Sequence, residues 1–170
     1  MAHSHQLWPF KVSNVDRLSY REVRQGRRFM IRVLPGTRLV DELLQFARMV
    51  GLHHAAIVSA VGSIRNVEFS DIQAGAHLPI TEPRMPVHRV EGPLDLLGLE
   101  GNLVPNETGK IDAHLHVFAA KSSGEAIGGH LFEAEVFATC EIILGEYIVE
   151  GVERQHSTRG GVDTLFFEDQ

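Results

Sequence analysis

Between Glu133 and Leu144 the chain alternates apolar and polar residues, and that alternation restricts the fold more than any other stretch. Successive side chains of a strand point to opposite faces, so Ala134, Val136, Ala138, Cys140, Ile142 and Leu144 share one side of an extended backbone. A face without a polar interruption belongs in a core. The other face carries Glu133, Glu135, Phe137, Thr139 and Glu141, which meet solvent or the arginines of a neighbour. The pattern predicts one long final strand over 134–147.

The rest of the second half reads as strand as well. Residues 95–103 are a predicted strand, with Leu97, Leu99 and Leu103 on one face beside Gly101, where a backbone or a ligand could approach closely. Residues 105–109 make a turn, 111–120 the next strand and 121–124 a further turn. In the first half, 27–33 is a strand ended by Pro35-Gly36. Thr37 then caps a helix whose apolar positions Leu39, Val40, Leu43, Leu44, Ala47 and Val50 recur at helical spacing, with Gly51 as its stop. Residues 55–61 read as a buried strand that Gly62 interrupts before a second extended piece over 64–71, and 74–86 form a loop.

At 170 residues and 44% hydrophobic composition, the chain can bury one sizeable core and is too short for two ordinary domains. The expected division is a flexible N-terminal segment over 1–16, a compact domain over 17–150 and a polar tail over 151–170. Neither a leader sequence nor an apolar run of membrane-spanning length is evident, so a cytoplasmic protein with no membrane partner is expected. Cys140, the single cysteine, lies in an apolar stretch and reads as a small buried thiol.

Charge is distributed unevenly. Residues 1–90 hold 12 Lys and Arg against 7 Asp and Glu, whereas residues 91–170 hold 4 against 15, or about +5 and −11. Arg24, Arg27 and Arg28 belong to an early cluster running from Arg17 to Arg38. They are candidate contacts for phosphate or nucleic acid. The alternative is that this cluster pairs with the acidic second half, within a subunit or across an interface.

The chemistry sits in the strand over 111–120. His114 and His116 point the same way while Leu115 and Val117 point the other, and two neutral imidazoles on one face can clamp a divalent transition metal. Gly128-Gly129-His130 follows the next turn, and its glycines leave room for a third imidazole to reach the first two. Three histidines with one open position form the ligand set of a zinc site that still accepts water or a substrate group. His53 and His54 are adjacent, point to opposite sides and form no such clamp.

These segments resemble a known family in order and spacing. Gly36 with its following helix, Ala60-Val61-Gly62-Ser63-Ile64, the 97–103 strand, His114-Leu115-His116-Val117, Gly128-Gly129-His130-Leu131 and Thr139-Cys140-Glu141-Ile142-Ile143 look like the PPC domain, the plants and prokaryotes conserved domain. The resemblance covers roughly 25–150. It implies an α+β fold, a mostly antiparallel β-sheet with flanking helices in a single compact domain, assembling as a homotrimer. Prokaryotic members carry a DNA-binding label taken from plant relatives whose domain follows an AT-hook. Here Gly26-Arg27-Arg28 is not followed by proline, and no other stretch supplies the hook.

Two functions are therefore in view. One is a metal-binding, DNA-associated or regulatory protein; the other is a small zinc-dependent metalloenzyme. In the second, Glu100 or Glu141, at positions resembling the family's strand motifs, serves as a base or as an outer partner that holds a ligand ring. A cupin site also uses a His-x-His strand, but it places a glutamate shortly after the pair, where this chain has Val117-Phe118-Ala119-Ala120-Lys121.

Overall fold

The computed structural model describes residues 12–15 and 18–168; His3, His5 and Arg17 lie outside them. In chain order the elements are β1 (Val12–Val15), β2 (Leu18–Arg21), β3 (Arg24–Val33), α1 (Leu39–Met49), β4 (Ala55–Ser70), β5 (Val87–Val90), β6 (Leu94–Pro105), β7 (Ile111–Ala120), β8 (Ala126–Ile148), β9 (Val152–His156) and β10 (Asp163–Phe167). Among the described residues one 3-10 turn spans Glu82–Arg84.

Four of these strands close on themselves. β8 pairs with β7, β7 with β6, β6 with β4, and β4 again with β8, every pair antiparallel. β3 extends this ring from β8, and β5 extends it from β4. Closure removes most free strand edges, which would otherwise recruit other chains. The interior is apolar: Leu99 and Leu103 of β6, Leu115 and Val117 of β7 and Ile142 and Leu144 of β8 meet Leu39, Leu43 and Ala47 of α1. Burying each such leucine contributes roughly 1.5–3 kcal/mol. No helix among the described residues is long and apolar enough to cross a membrane.

Several expectations are corrected. The fold is mostly antiparallel β, but α1 is the single α-helix among the described residues, so the expected flanking helices reduce to one. Thr37 does not cap it. Its carbonyl accepts from the Val136 amide, and the first amides of α1 are met from a distant strand instead, where the Glu133 carboxylate accepts from Val40 N at 2.8 Å and Asp41 N at 3.2 Å. A carboxylate there complements the positive end of the helix.

Gly62 does not break its strand, since β4 runs through it with the pairing register shifting on either side. Two expected strand faces also break at register shifts, one of them the face expected as core. On β6 the shift between Leu96 and Gly98 turns Leu96 inward and leaves Leu97 half exposed. On β8 the stretch from 136 to 140 carries two more residues than its partner stretch of β4, and Ala138 is pushed to the surface while Val136 and Cys140 stay buried. Burial raises the Cys140 thiol to about 11, as fits an inert core residue. In the stretch expected as a polar tail, β9 and β10 form a hairpin.

Candidate metal centre

His114 and His116 lie on the outward face of β7, alternating with the buried Leu115 and Val117. β8 follows through a turn closed by the Lys121 amide on the Glu125 carbonyl, and the register sets His130 directly opposite His116. The His114 and His116 Nε2 atoms are 3.2 Å apart, and one nitrogen from each of the three rings falls within 4.8 Å of the others. The His130 ring stands edge-on to both, with centroids 5.0 Å from His114 and 5.5 Å from His116. His116 is exposed, and His114 and His130 are half buried, so the cluster opens to solvent on the His116 side.

Two glycines make this convergence sterically allowed. A Cβ on Gly129 would sit 2.6 Å from the Ser70 carbonyl oxygen, so only glycine lets β8 press against β4 just before His130. A Cβ on Gly101 would come within 1.9 Å of the His114 carbonyl oxygen. The close approach anticipated at Gly101 is therefore that of a backbone, the histidine-bearing strand itself.

The electrostatics suit neutral ligands. Burial, and then the Arg154 cation, hold His114 below the ordinary histidine value, while burial followed by His116 and Arg154 does the same for His130. Imidazoles arranged in this way fit a divalent cation that prefers nitrogen ligands. The third donor makes the difference from an ordinary pair of strand histidines.

The remaining candidates separate. Glu100 lies opposite His116 across the β6–β7 pair, on the same face, and is exposed. Glu141 is at the other end of β8, opposite Arg32 of β3, and takes no part in the cluster. Arg27 is held by the Glu146 carboxylate at 2.6 and 2.8 Å, which keeps Glu146 down at about 2. Arg24 and Arg28 are exposed on β3. The pairing of early arginines with the acidic half thus occurs within the chain, at Arg27–Glu146 and at Arg38–Glu133.

The sequence reading missed Arg154, Asn102 and Asp112. Arg154 reaches the site from β9 and is only 4% exposed. Its Nη1 is 3.3 Å from His114 Nδ1, its Nη2 donates to Asn102 Oδ1, and its Nε lies 3.5 Å from Asp112 Oδ2. Asp112 precedes His114 by two residues on the same strand face, so alternation alone could have flagged it. Asn102 needs the β6–β7 register, which sets it opposite His114. Nothing local marks Arg154.

Comparison with known proteins gives a consistent picture. The Plants and Prokaryotes Conserved (PCC) domain model matches residues 20–148. A metal-containing protein from Archaeoglobus fulgidus is 30% identical, with 85% of this chain and 96% of that one covered and a TM-score of 0.74. A plant- and prokaryote-conserved protein from Pyrococcus horikoshii is 28% identical over 88% of this chain and 96% of that one, with a TM-score of 0.73. A Ralstonia eutropha structure described as a "putative DNA-binding protein" shares the fold at 17% identity, covering 81% of this chain and 90% of that one at a TM-score of 0.68. Among curated sequences, a bifunctional GlmU protein from Synechococcus is 33% identical over 84% of this chain, which spans about a fifth of that relative's length (21%).

Proposed function

The chain belongs to the plants and prokaryotes conserved domain family, and on that premise we propose that it is a divalent-metal-binding protein whose metal, zinc, is held by His114, His116 and His130. The observation that carries this reading is the meeting of three imidazole nitrogens within 4.8 Å on one outward face. The metal-containing relative from Archaeoglobus fulgidus supports it. Held by these three imidazoles, zinc would supply Lewis acidity to an oxygen-bearing group of a substrate. Protein purified without chelator and then given zinc is expected to hold one ion per chain, and His114→Ala to hold none. Equal zinc in parent and variant would remove the site.

The assembly we propose is a cytoplasmic homotrimer. It is supported by the family resemblance and by the exposed large apolar residues Met30, Val58, Val61, Phe118 and Phe132 on the sheet surfaces. Light scattering at micromolar concentration is expected to return three times the 18.9 kDa chain mass, and a monomer mass would overturn it.

A regulatory, DNA-associated role follows the wording used for relatives, but duplex DNA is not expected to be gripped by this chain alone. Arg27 is committed to Glu146, and non-specific affinity depends on lysines and arginines available to phosphate. A metalloenzyme is the second reading, favoured by the placement of Glu100 beside the exposed His116, where its carboxylate would accept a proton from a substrate brought to the three imidazoles.

A further inference from the structure

Arg154 touches the metal centre with the wrong polarity for an ordinary ligand support. A metal-binding imidazole normally donates its second N–H to a carboxylate, carbonyl or water, which fixes the ring and its tautomer. Arginine carries donors alone. The 3.3 Å contact from Arg154 Nη1 to His114 Nδ1 therefore needs the lone pair on Nδ1, and a neutral ring then carries its hydrogen on Nε2. That hydrogen has an acceptor, His116 Nε2, at 3.2 Å. Arg154, His114 and His116 thus form a directed chain of donors. A cation between His114 and His116 needs the same Nε2 lone pair, so this arrangement and a metal-holding one exclude each other.

We propose that Arg154 is a positioning residue that holds His114 in the tautomer unable to take metal, and that zinc binding shifts the His114 hydrogen from Nε2 to Nδ1 and turns Arg154 away. The proton count does not change. Once Nδ1 carries the hydrogen it needs an acceptor, and Asp112 supplies one. It shares the outward face of β7 with His114, and its carboxylate is already 3.5 Å from Arg154 Nε, a buried atom with no hydrogen-bond partner. Asn102 Oδ1 stays available to hold the displaced guanidinium.

The switch reaches beyond the site because of where Arg154 is rooted. It stands on β9, whose hairpin with β10 is fastened to the N-terminal hairpin by Arg21, which donates to the Glu150 and Glu168 carbonyls. Loosening Arg154 from His114 frees one of the side chains tying this terminal layer to the ring of strands. Zinc occupancy is thereby read out at the C-terminal hairpin, on the far side of His114 from the ion.

The proposal deepens the zinc reading and can be judged apart from it. Long-range proton–nitrogen spectra of the histidine rings in metal-free protein are expected to show His114 hydrogenated at Nε2 in the parent and redistributed toward Nδ1 in Arg154→Met. The Nδ1 form in the parent would overturn the proposal whether or not zinc binds. In zinc competition titrations Arg154→Met is expected to bind about tenfold more tightly than the parent, Arg154→Lys to fall between them, and Asp112→Asn to bind more weakly. Unchanged or weaker binding by a folded Arg154→Met, its fold checked by circular dichroism, would equally overturn it. In the parent, zinc is expected to speed amide exchange across 152–156, and slower exchange there would count against the coupling. Absence of zinc binding in parent and variant alike would reject the metal site, leaving the tautomer assignment to the spectra.

Discussion

The two ends of β8 do opposite jobs with similar residues. At the C-terminal end the strand lies between β3 and β4, its inward face is Cys140, Ile142 and Leu144, and its charges are matched, Glu146 by Arg27 and, nearer the middle, Glu135 by Arg65. The N-terminal end lies between β7 and β4 and carries His130, half buried, its basicity lowered by burial, and grouped with two more imidazoles that cannot all satisfy one another. One end matches its polar groups in ion pairs and the other gathers them into the histidine cluster. A strand is structural where its polar groups are matched and functional where they outnumber their partners.

The sharpest way to break this contrast is to strike each end and read both properties. His130→Ala is expected to weaken zinc binding by roughly 100-fold or more, above the loss that accompanies removal of an outer partner, while the unfolding free energy stays nearly unchanged. Leu144→Ala is expected to do the reverse, costing about 2–5 kcal/mol in denaturant unfolding with zinc affinity kept in the protein that remains folded. If both substitutions moved both properties together, the division of β8 into two regions would fail.

A smaller effect sharpens the boundary between the regions. Glu133 sits between the two ends and accepts from the first amides of α1, so Glu133→Gln should lower stability by about 1 kcal/mol, as lost caps do, with no change in zinc affinity. The smallest effect is at Glu146. Arg27 holds this carboxylate near 2, below its usual 4.5, so its contribution is complete above the usual value and is lost as pH falls toward the lower one. Acid unfolding curves of Glu146→Gln should therefore lie flatter than the parent's across that window and match its slope above it.

Much of this was legible in the residues because it depended on neighbours in sequence. Strand alternation placed His114 and His116 on one face, bounded β7 at Ile111–Ala120 and marked Leu39, Leu43 and Ala47 as the buried stripe of α1. What was not legible depended on distant partners. Thr37 looked like the cap of α1, but Glu133 reaches its amides across the fold and the Thr37 carbonyl is used by Val136. Leu97 was expected to share a face with Leu99 and Leu103, and Ala138 to lie in the core, but a shift in pairing, which belongs to two strands at once, turned both out. Arg154 stood in a polar segment without periodicity, and only the packing of β9 beside β6 brings it to His114.

The ring of strands also sets an order of assembly. Its closing seam joins residues 55–70 to residues 130–146, so the chain must loop back over long stretches before β4 meets β8, and such pairings are slow to form. The three imidazoles need no such return, because β7 and β8 are joined by one tight turn and His116 faces His130 within that hairpin. The histidine cluster is thus a short-range object carried by a long-range fold. Its pairing across the turn can form on the time scale of a hairpin, and the Arg154 contact, which waits for the C-terminal strands, is the last part of the site to arrive.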